Sequence, residues 1–255
     1  MSVKKPDFLI IGAAKSGTTS LATALATHPG IHILPYEVHY FSQQLARGDP
    51  WYLSLFDQPG KLQGEKSPTY LYYCECHREI YRLLSRARLI VLLRDPVQRA
   101  FSNWNMRYRD KRLITQGLHF NRSHRDRPLR SLDFSALTDY YLENRDDAAV
   151  FLPPLDVIQR SLYLPQVESL LRYFPAKQIL FLWSEQYFSS EPRGYETVCR
   201  FLNIAPQPSP VLARQRQGYY NHTIPQKSQA QLQAFFQPFN RKLFELLGQS
   251  CEEWQ

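Results

Sequence analysis

The stretch FLIIGAAKSGTTSLATAL, residues 8–25, limits what this 255-residue chain can fold into. Phe8, Leu9, Ile10 and Ile11 form a short apolar run that stops at Gly12, the pattern of a strand buried in a parallel sheet. From Thr18 onward, Leu21, Ala22 and Leu25 recur at helical spacing. Between the two lies Gly12-Ala13-Ala14-Lys15-Ser16-Gly17-Thr18-Thr19. A strand, a Gly-bounded basic loop and a helix start together make an anion seat. The first amides of the helix have no internal partner, and the helix dipole adds partial positive charge at that end. Gly12 and Gly17 let the backbone turn tightly around a phosphate. The plainer alternative is an ordinary strand–turn–helix connection with an exposed lysine.

Spacing invites comparison with the nucleotide loop G-x-x-x-x-G-K-[ST]. Gly12, Gly17 and Thr19 fit it, but Thr18 occupies the lysine position and Lys15 sits three residues earlier. An NTPase needs that lysine on the β- and γ-phosphates, so this loop is expected to take a different phosphate ester.

Two further apolar runs, residues 88–94 and 179–183, read as buried strands, and residues 30–34 and 62–66 as shorter ones. Helices are expected over residues 51–56, 79–85, 96–109, 134–144, 161–174, 195–202 and 228–247, the last as one helix or as a pair split near Pro238. In the 161–174 helix, Leu162, Val167, Leu170, Leu171 and Phe174 face inward. Asp95 is placed to cap the 96–109 helix and Pro96 to open it. Basic and aperiodic, residues 111–130 read as a mobile loop, and 206–222 as a second loop. Glu37 and His39, separated by Val38, point the same way if the backbone there is extended. Helices between apolar strands predict a three-layer α/β fold with a mainly parallel central sheet, organised as a single domain over residues 1–255. In such sheets ligands bind at the carboxyl ends of the strands. Lys15, Lys66 and Arg94 each fall just beyond such an end.

Lys and Arg total 31 against 23 Asp and Glu, a net charge of +8, which predicts an anionic ligand or partner without naming it. Cys74, Cys76, Cys199 and Cys251 have no metal-ligand spacing and read as reduced thiols. The polar residues 1–7 and the short apolar run after them predict neither a signal peptide nor a membrane span, and so a cytoplasmic protein.

Lys15-Ser16-Gly17-Thr18-Thr19 resembles the 5′-phosphosulfate loop of sulfotransferases that use 3′-phosphoadenosine 5′-phosphosulfate (PAPS). Arg94-Asp95-Pro96, followed by Arg99 and Ser102, resembles that family's 3′-phosphate motif. Glu37-Val38-His39-Tyr40-Phe41 and Glu65-Lys66-Ser67-Pro68-Thr69-Tyr70 are similar to the heparan sulfate 3-O- and N-sulfotransferase branch. So are Ser161-Leu162-Tyr163 and Leu171-Arg172-Tyr173-Phe174-Pro175. The likeness runs across residues 7–247. There are departures: Gln217 stands where the branch carries a lysine before a Gly-aromatic pair, leaving Arg216 or Arg214 to substitute. No Cys lies near Gly218 to form the branch's usual disulfide, and Ser20 stands where cytosolic members place an adenine-stacking Trp.

The resemblance implies a P-loop-like core binding PAPS as sulfuryl donor, with Lys15, Ser16, Gly17, Thr18 and Thr19 around the 5′-phosphosulfate. It implies Arg94, Ser102, Arg216, Gly218 and Tyr219 on the rest of the nucleotide. Lys66 is expected to reach the sulfuryl group or the base, its bland alternative being an ion pair with Glu65 or another surface acid. Arg94 has a structural salt bridge as its rival reading. Glu37 is the expected base, provided a partly dry site raises its pKa. His39 is the assistant, or itself the base. A sulfuryl group carries a single net negative charge, so cations and amides suffice and no metal is expected. The implied reaction is in-line transfer to a hydroxyl or amine of a glycan or small alcohol, with no nucleic-acid partner. Two rival readings are a nucleotide or small-molecule kinase, and a non-catalytic polyanion binder using residues 122–130.

Overall fold

The computed structural model describes residues 4–109, 133–146, 156–207 and 223–254. The chain divides into two compact units, one from Met1–Arg94 with Pro165–Arg216, the other from Asp95–Leu164 with Gln217–Gln255. The first unit is built on five parallel strands: β1 (Phe8–Gly12), β2 (Ile31–Ile33), β3 (Leu62–Lys66), β4 (Arg88–Leu93) and β5 (Ile179–Trp183), in spatial order β2-β3-β1-β4-β5. Its helices are α1 (Thr18–Ala26), α2 (Asp49–Leu53) and α3 (Cys74–Leu84). Later in the chain come α8 (Ser184–Ser189) and α9 (Glu191–Leu202). The other helices are α4 (Pro96–Arg109), α5 (Phe134–Glu143), α6 (Asp156–Gln159), α7 (Tyr163–Leu171) and α10 (Gln226–Leu247).

Two of the apolar runs become the inner strands β1 and β4 because both of their faces are covered; the third, expected to be buried, forms the edge strand β5, where Leu180, Phe181 and Leu182 are only half-buried. Phe8, Ile10, Ile90 and Leu92 pack in one core with Leu21 and Leu25 of α1 and Tyr195, Val198 and Leu202 of α9. Leu9, Ile11, Leu89, Val91 and Leu93, which alternate with them, are equally buried. The result is the flanked parallel sheet expected from the pattern. Parallel pairing brings the strand ends together at one rim: Ile10 lies opposite Lys66, and Leu93 opposite Trp183.

In the second unit, Val97, Ala100, Phe101, Phe134, Leu137, Val157, Leu232 and Phe236 form a separate core. Asp95 Oδ1 accepts the amide of Gln98 at 2.7 Å, and Pro96 supplies the first turn of α4, as expected. Asp133 caps α5 through the Ala136 amide at 2.8 Å. α10 is one helix of 22 residues with Pro238 inside it. The lost hydrogen bond is tolerated because Leu232, Phe236 and Leu243 are buried on both sides of the proline.

Several boundaries differ from expectation. α3 starts five residues early, at Cys74, because its start carries no side-chain cap to read. α9 starts at Glu191, with Pro192 in its first turn. α7 stops at Leu171, and of the five inward residues Val167, Leu170 and Phe174 are buried whereas Leu162 and Leu171 are half-buried. The larger difference concerns residues 37–39. They form no strand; His39 has φ 54°, and a π-helical turn (Tyr40–Gln44) follows it. Glu37 and His39 still meet, through a left-handed turn and not through extended alternation. The basic segment 111–130 and most of 206–222, with Arg214, Arg216, Gln217, Gly218 and Tyr219, lie outside the described residues.

Candidate active site

The phosphate loop is held by its own backbone and by two neighbours at the sheet rim. Lys15 has φ 77° and Gly17 φ 94°, so two left-handed residues fold the loop back before α1. Arg94, one residue beyond β4, donates from Nη1 to the Lys15 carbonyl at 3.3 Å. Ser184 Oγ, just after β5, donates to the Ser16 carbonyl at 2.9 Å. The first internal bond of α1 is Leu21 N to Gly17 O, so the amides of Thr18, Thr19 and Ser20 have no partner within the helix. Ser16 Oγ is buried without a hydrogen-bond partner. A Cβ at Gly17 would lie 2.4 Å from the Phe188 ring, so only glycine allows that ring against the loop. Free amides, a buried unpaired hydroxyl and a basic side chain in one narrow loop fit a phosphate-type oxyanion.

Beside the loop lies a set of titratable groups. Lys66, last in β3, reaches Thr19 Oγ1 at 3.2 Å and Glu37 Oε1 at 2.6 Å. The other Glu37 oxygen sits 3.0 Å from His39 Nε2. Lys66 therefore pairs with Glu37 and not with its neighbour Glu65. The Glu37 side chain is 34% exposed, so a substrate can reach it. Burial pushes the Glu37 carboxyl up. Hydrogen bonds from His39 and Lys66, with their charges, outweigh that and hold it down at about 2. This reverses the sequence expectation of a raised pKa; alternation along the chain cannot reveal that two donors converge on one carboxylate. An ionised carboxylate only accepts, so His39 Nε2 carries the hydrogen. The Nδ1 of a neutral ring then accepts from the Thr69 hydroxyl, 3.1 Å away.

Sequence reasoning missed the residues behind this pair. The His39 amide donates to Ser67 Oγ at 3.0 Å. Ser67 Oγ donates to Glu65 Oε2 at 2.6 Å. Ser67 and Thr69 lie within the EKSPTY stretch, but nothing in its spacing assigns them to His39. Ser184 carries no sequence signal at all. Ser102 is buried on α4, in the second unit. Arg99, also fully buried there, donates from Nε to Ser161 Oγ at 2.5 Å and from Nη2 to the Val157 carbonyl. Burial pushes its guanidinium down to about 10. That makes Arg99 a structural tie between α4 and the segment around α6.

The site is thus an anion loop after the central strand of a five-stranded parallel sheet, with a hydrogen-bonded Glu37–His39–Lys66 cluster beside that loop. The family model described as "Sulfotransferase domain" matches residues 5–235, and the chain belongs to that family. Over 269 residues it is 28% identical to "Heparan sulfate glucosamine 3-O-sulfotransferase 6" of Mus musculus, covering 96% of this chain and 72% of that protein. The crystal structure of a sulfotransferase from Alicyclobacillus acidocaldarius superposes with a TM-score of 0.79 at 26% identity, covering 99% of both chains. The sulfotransferase domain from the curacin biosynthetic pathway shares the fold, with a TM-score of 0.53 at 17% identity over 81% of this chain and 77% of that one. The chain is thus a sulfotransferase. Among the described residues no helix is long and apolar enough to cross a membrane. Among the described residues no disulfide joins any of the four cysteines.

Proposed function

We propose that the chain, acting as one domain over residues 1–255, transfers the sulfuryl group of PAPS to a hydroxyl of an acidic glycan. The single observation that carries the reading is Lys66, whose ammonium contacts both Thr19 at the phosphate loop and the Glu37 carboxylate. One cation thereby links the donor side to the base. The glycan is suggested by the heparan sulfate named for the relative and by the net charge of +8. Four cysteines without a disulfide among the described residues fit a reducing compartment such as the cytoplasm.

PAPS would supply an activated sulfuryl group on a phosphate leaving group. Lys15, with the amides of residues 17–19 and the Thr18 and Thr19 hydroxyls, would hold the 5′ side and offset charge growing on the leaving oxygen; the Ser16 amide, expected among them, donates instead to the Ala13 carbonyl at 3.1 Å. On the motif resemblance, Arg94, Ser102, Arg216, Gly218 and Tyr219 are assigned to the 3′-phosphate and the remaining nucleotide. Glu37 would take the acceptor proton as the acceptor oxygen attacks. Held near pKa 2 by its donors, Glu37 is a weak base. A shift of Lys66 toward the transferring group would restore its basicity at the moment of reaction. His39 donates to Glu37 in this arrangement, which favours an assisting role over that of the base.

The test is a transfer screen with radiolabelled PAPS across sulfated and unsulfated glycans, lipids and small alcohols, in EDTA after dialysis. Transfer to a glycan hydroxyl is expected. Turnover of Mg-ATP in place of PAPS would establish the kinase reading instead, and activity lost to EDTA and restored only by Mg²⁺ would remove the metal-free mechanism.

A further inference from the structure

Among the described residues Glu65 has no ion pair, although it is fully buried and next to a lysine in sequence. Its Oε1 accepts from Tyr52 at 3.0 Å and from Tyr70 at 2.9 Å, and its Oε2 from Ser67 at 2.6 Å. A dry carboxylate satisfied only by hydroxyls is a costly group, and burial pushes its pKa up against the pull of those hydroxyls. Packing alone gives no reason for the charge.

What the three hydroxyls have in common is His39. Ser67, held by Glu65, accepts the His39 amide at 3.0 Å. Tyr52 and Tyr70 reach the same segment through rings. Tyr52 stacks on Tyr40 at 4.5 Å between centroids, and Tyr70 meets Phe41 edge-on at 5.4 Å. Tyr40 and Phe41 are the residues immediately after His39. Both routes thus converge on the one non-glycine residue in that segment with a left-handed backbone, a conformation uncommon outside glycine. The consequence of that backbone is the 3.0 Å contact between His39 Nε2 and Glu37.

We propose that Glu65 is a positioning residue for the reaction, acting through Ser67 and the Tyr52–Tyr70 rings to hold His39, and through it Glu37, in line with the acceptor. This rests on the reading of Glu37 as the base. Glu65→Gln is the informative change. Glutamine keeps an oxygen for the two tyrosines but presents N–H toward Ser67, whose hydroxyl hydrogen then loses its acceptor.

The experiment compares wild type, Glu65→Gln and Ser67→Ala by thermal unfolding, by titration with the desulfated nucleotide, by single-turnover transfer at saturating PAPS, and by ¹⁵N chemical shifts of selectively labelled histidine without nucleotide. The His39 signal is assigned from its loss in His39→Ala. Both variants are expected to fold, with Glu65→Gln at least as heat-stable as wild type because a buried charge is gone. Nucleotide affinity is expected to stay within about twofold, the His39 ring shifts to move, and the transfer rate to fall on the order of 10²-fold. Unchanged His39 shifts with near-normal transfer in the folded variants would overturn the proposal. So would a rate loss matched by lost nucleotide binding. Should Glu65→Gln fail to fold, Ser67→Ala leaves the tyrosine anchors intact and decides the matter by the same readouts. If wild type transfers nothing to any acceptor, the sulfuryl-transfer reading falls, and the ¹⁵N shifts still decide whether Glu65 governs His39.

Discussion

The two sides of the candidate site are built by different means. The phosphate loop is one run of consecutive residues, 12–19, whose shape follows from local backbone: a strand that ends, positive φ at Lys15 and Gly17, and a helix start. The base side gathers Glu37, His39 and Lys66 from separate segments and holds them by side-chain bonds that span up to 30 residues, as in His39–Thr69. The loop is braced by Arg94 and Ser184 but takes its shape from its own residues, so it is most sensitive to its own glycine. The gathered side has no such local frame: each member depends on side chains from other segments.

The largest expected effect breaks the base side alone. Glu37→Gln keeps the side-chain shape and removes the carboxylate, so single-turnover transfer should drop about 10²–10⁴-fold while nucleotide binding holds. His39→Ala should cost less. Near-normal turnover in Glu37→Gln together with abolition in His39→Ala would exchange their roles.

Next in size is the nucleotide side. Arg94→Ala should cut the preference for 3′-phosphoadenosine 5′-phosphate over AMP at least roughly tenfold, since a charge-assisted hydrogen bond contributes about 1.5–3 kcal/mol. Calorimetric titration with both nucleotides measures it, and equal affinities already in wild type would remove Arg94 from the 3′-phosphate.

Gly17→Ala sharpens the contrast from the local side. It imposes a Cβ on a residue with φ 94° and 2.4 Å from the Phe188 ring. The left-handed backbone alone is expected to cost about 1–2 kcal/mol in thermal unfolding. Adding Phe188→Ala should relieve the clash but not the backbone term, so rescue is partial. Full rescue would mean that the ring, and not the loop conformation, selects glycine.

Smallest is an acid effect on stability. The Glu37 carboxyl is held at about 2 against an ordinary 4.5, so the folded form binds its proton less readily than the unfolded form. Its stabilising contribution is complete above about pH 4.5 and fades as pH falls toward 2. Because the group is a third exposed, the contribution is modest. Subtracting the pH–stability curve of Glu37→Gln from that of wild type isolates it. A difference that grows on acidification would contradict the ion pair.

By itself the sequence determined the features whose cause is local. Apolar runs longer than any amphipathic alternation require strands buried on both faces, and helices between them require parallel pairing; both follow from period and burial. Glycines at either end of a basic loop announce the anion seat for the same reason, since the residues that shape it are adjacent in the chain. Tertiary structure alone decided the state of the Glu37 carboxylate. Glu37 and His39 meet through a left-handed turn that no periodicity encodes. Lys66 chooses Glu37 over the adjacent Glu65 because neighbouring strand residues face opposite sides, and only packing says what waits on each. The Glu37 pKa falls where dryness alone would raise it, because the sum of burial and two donors depends on distances between segments that the chain order leaves open.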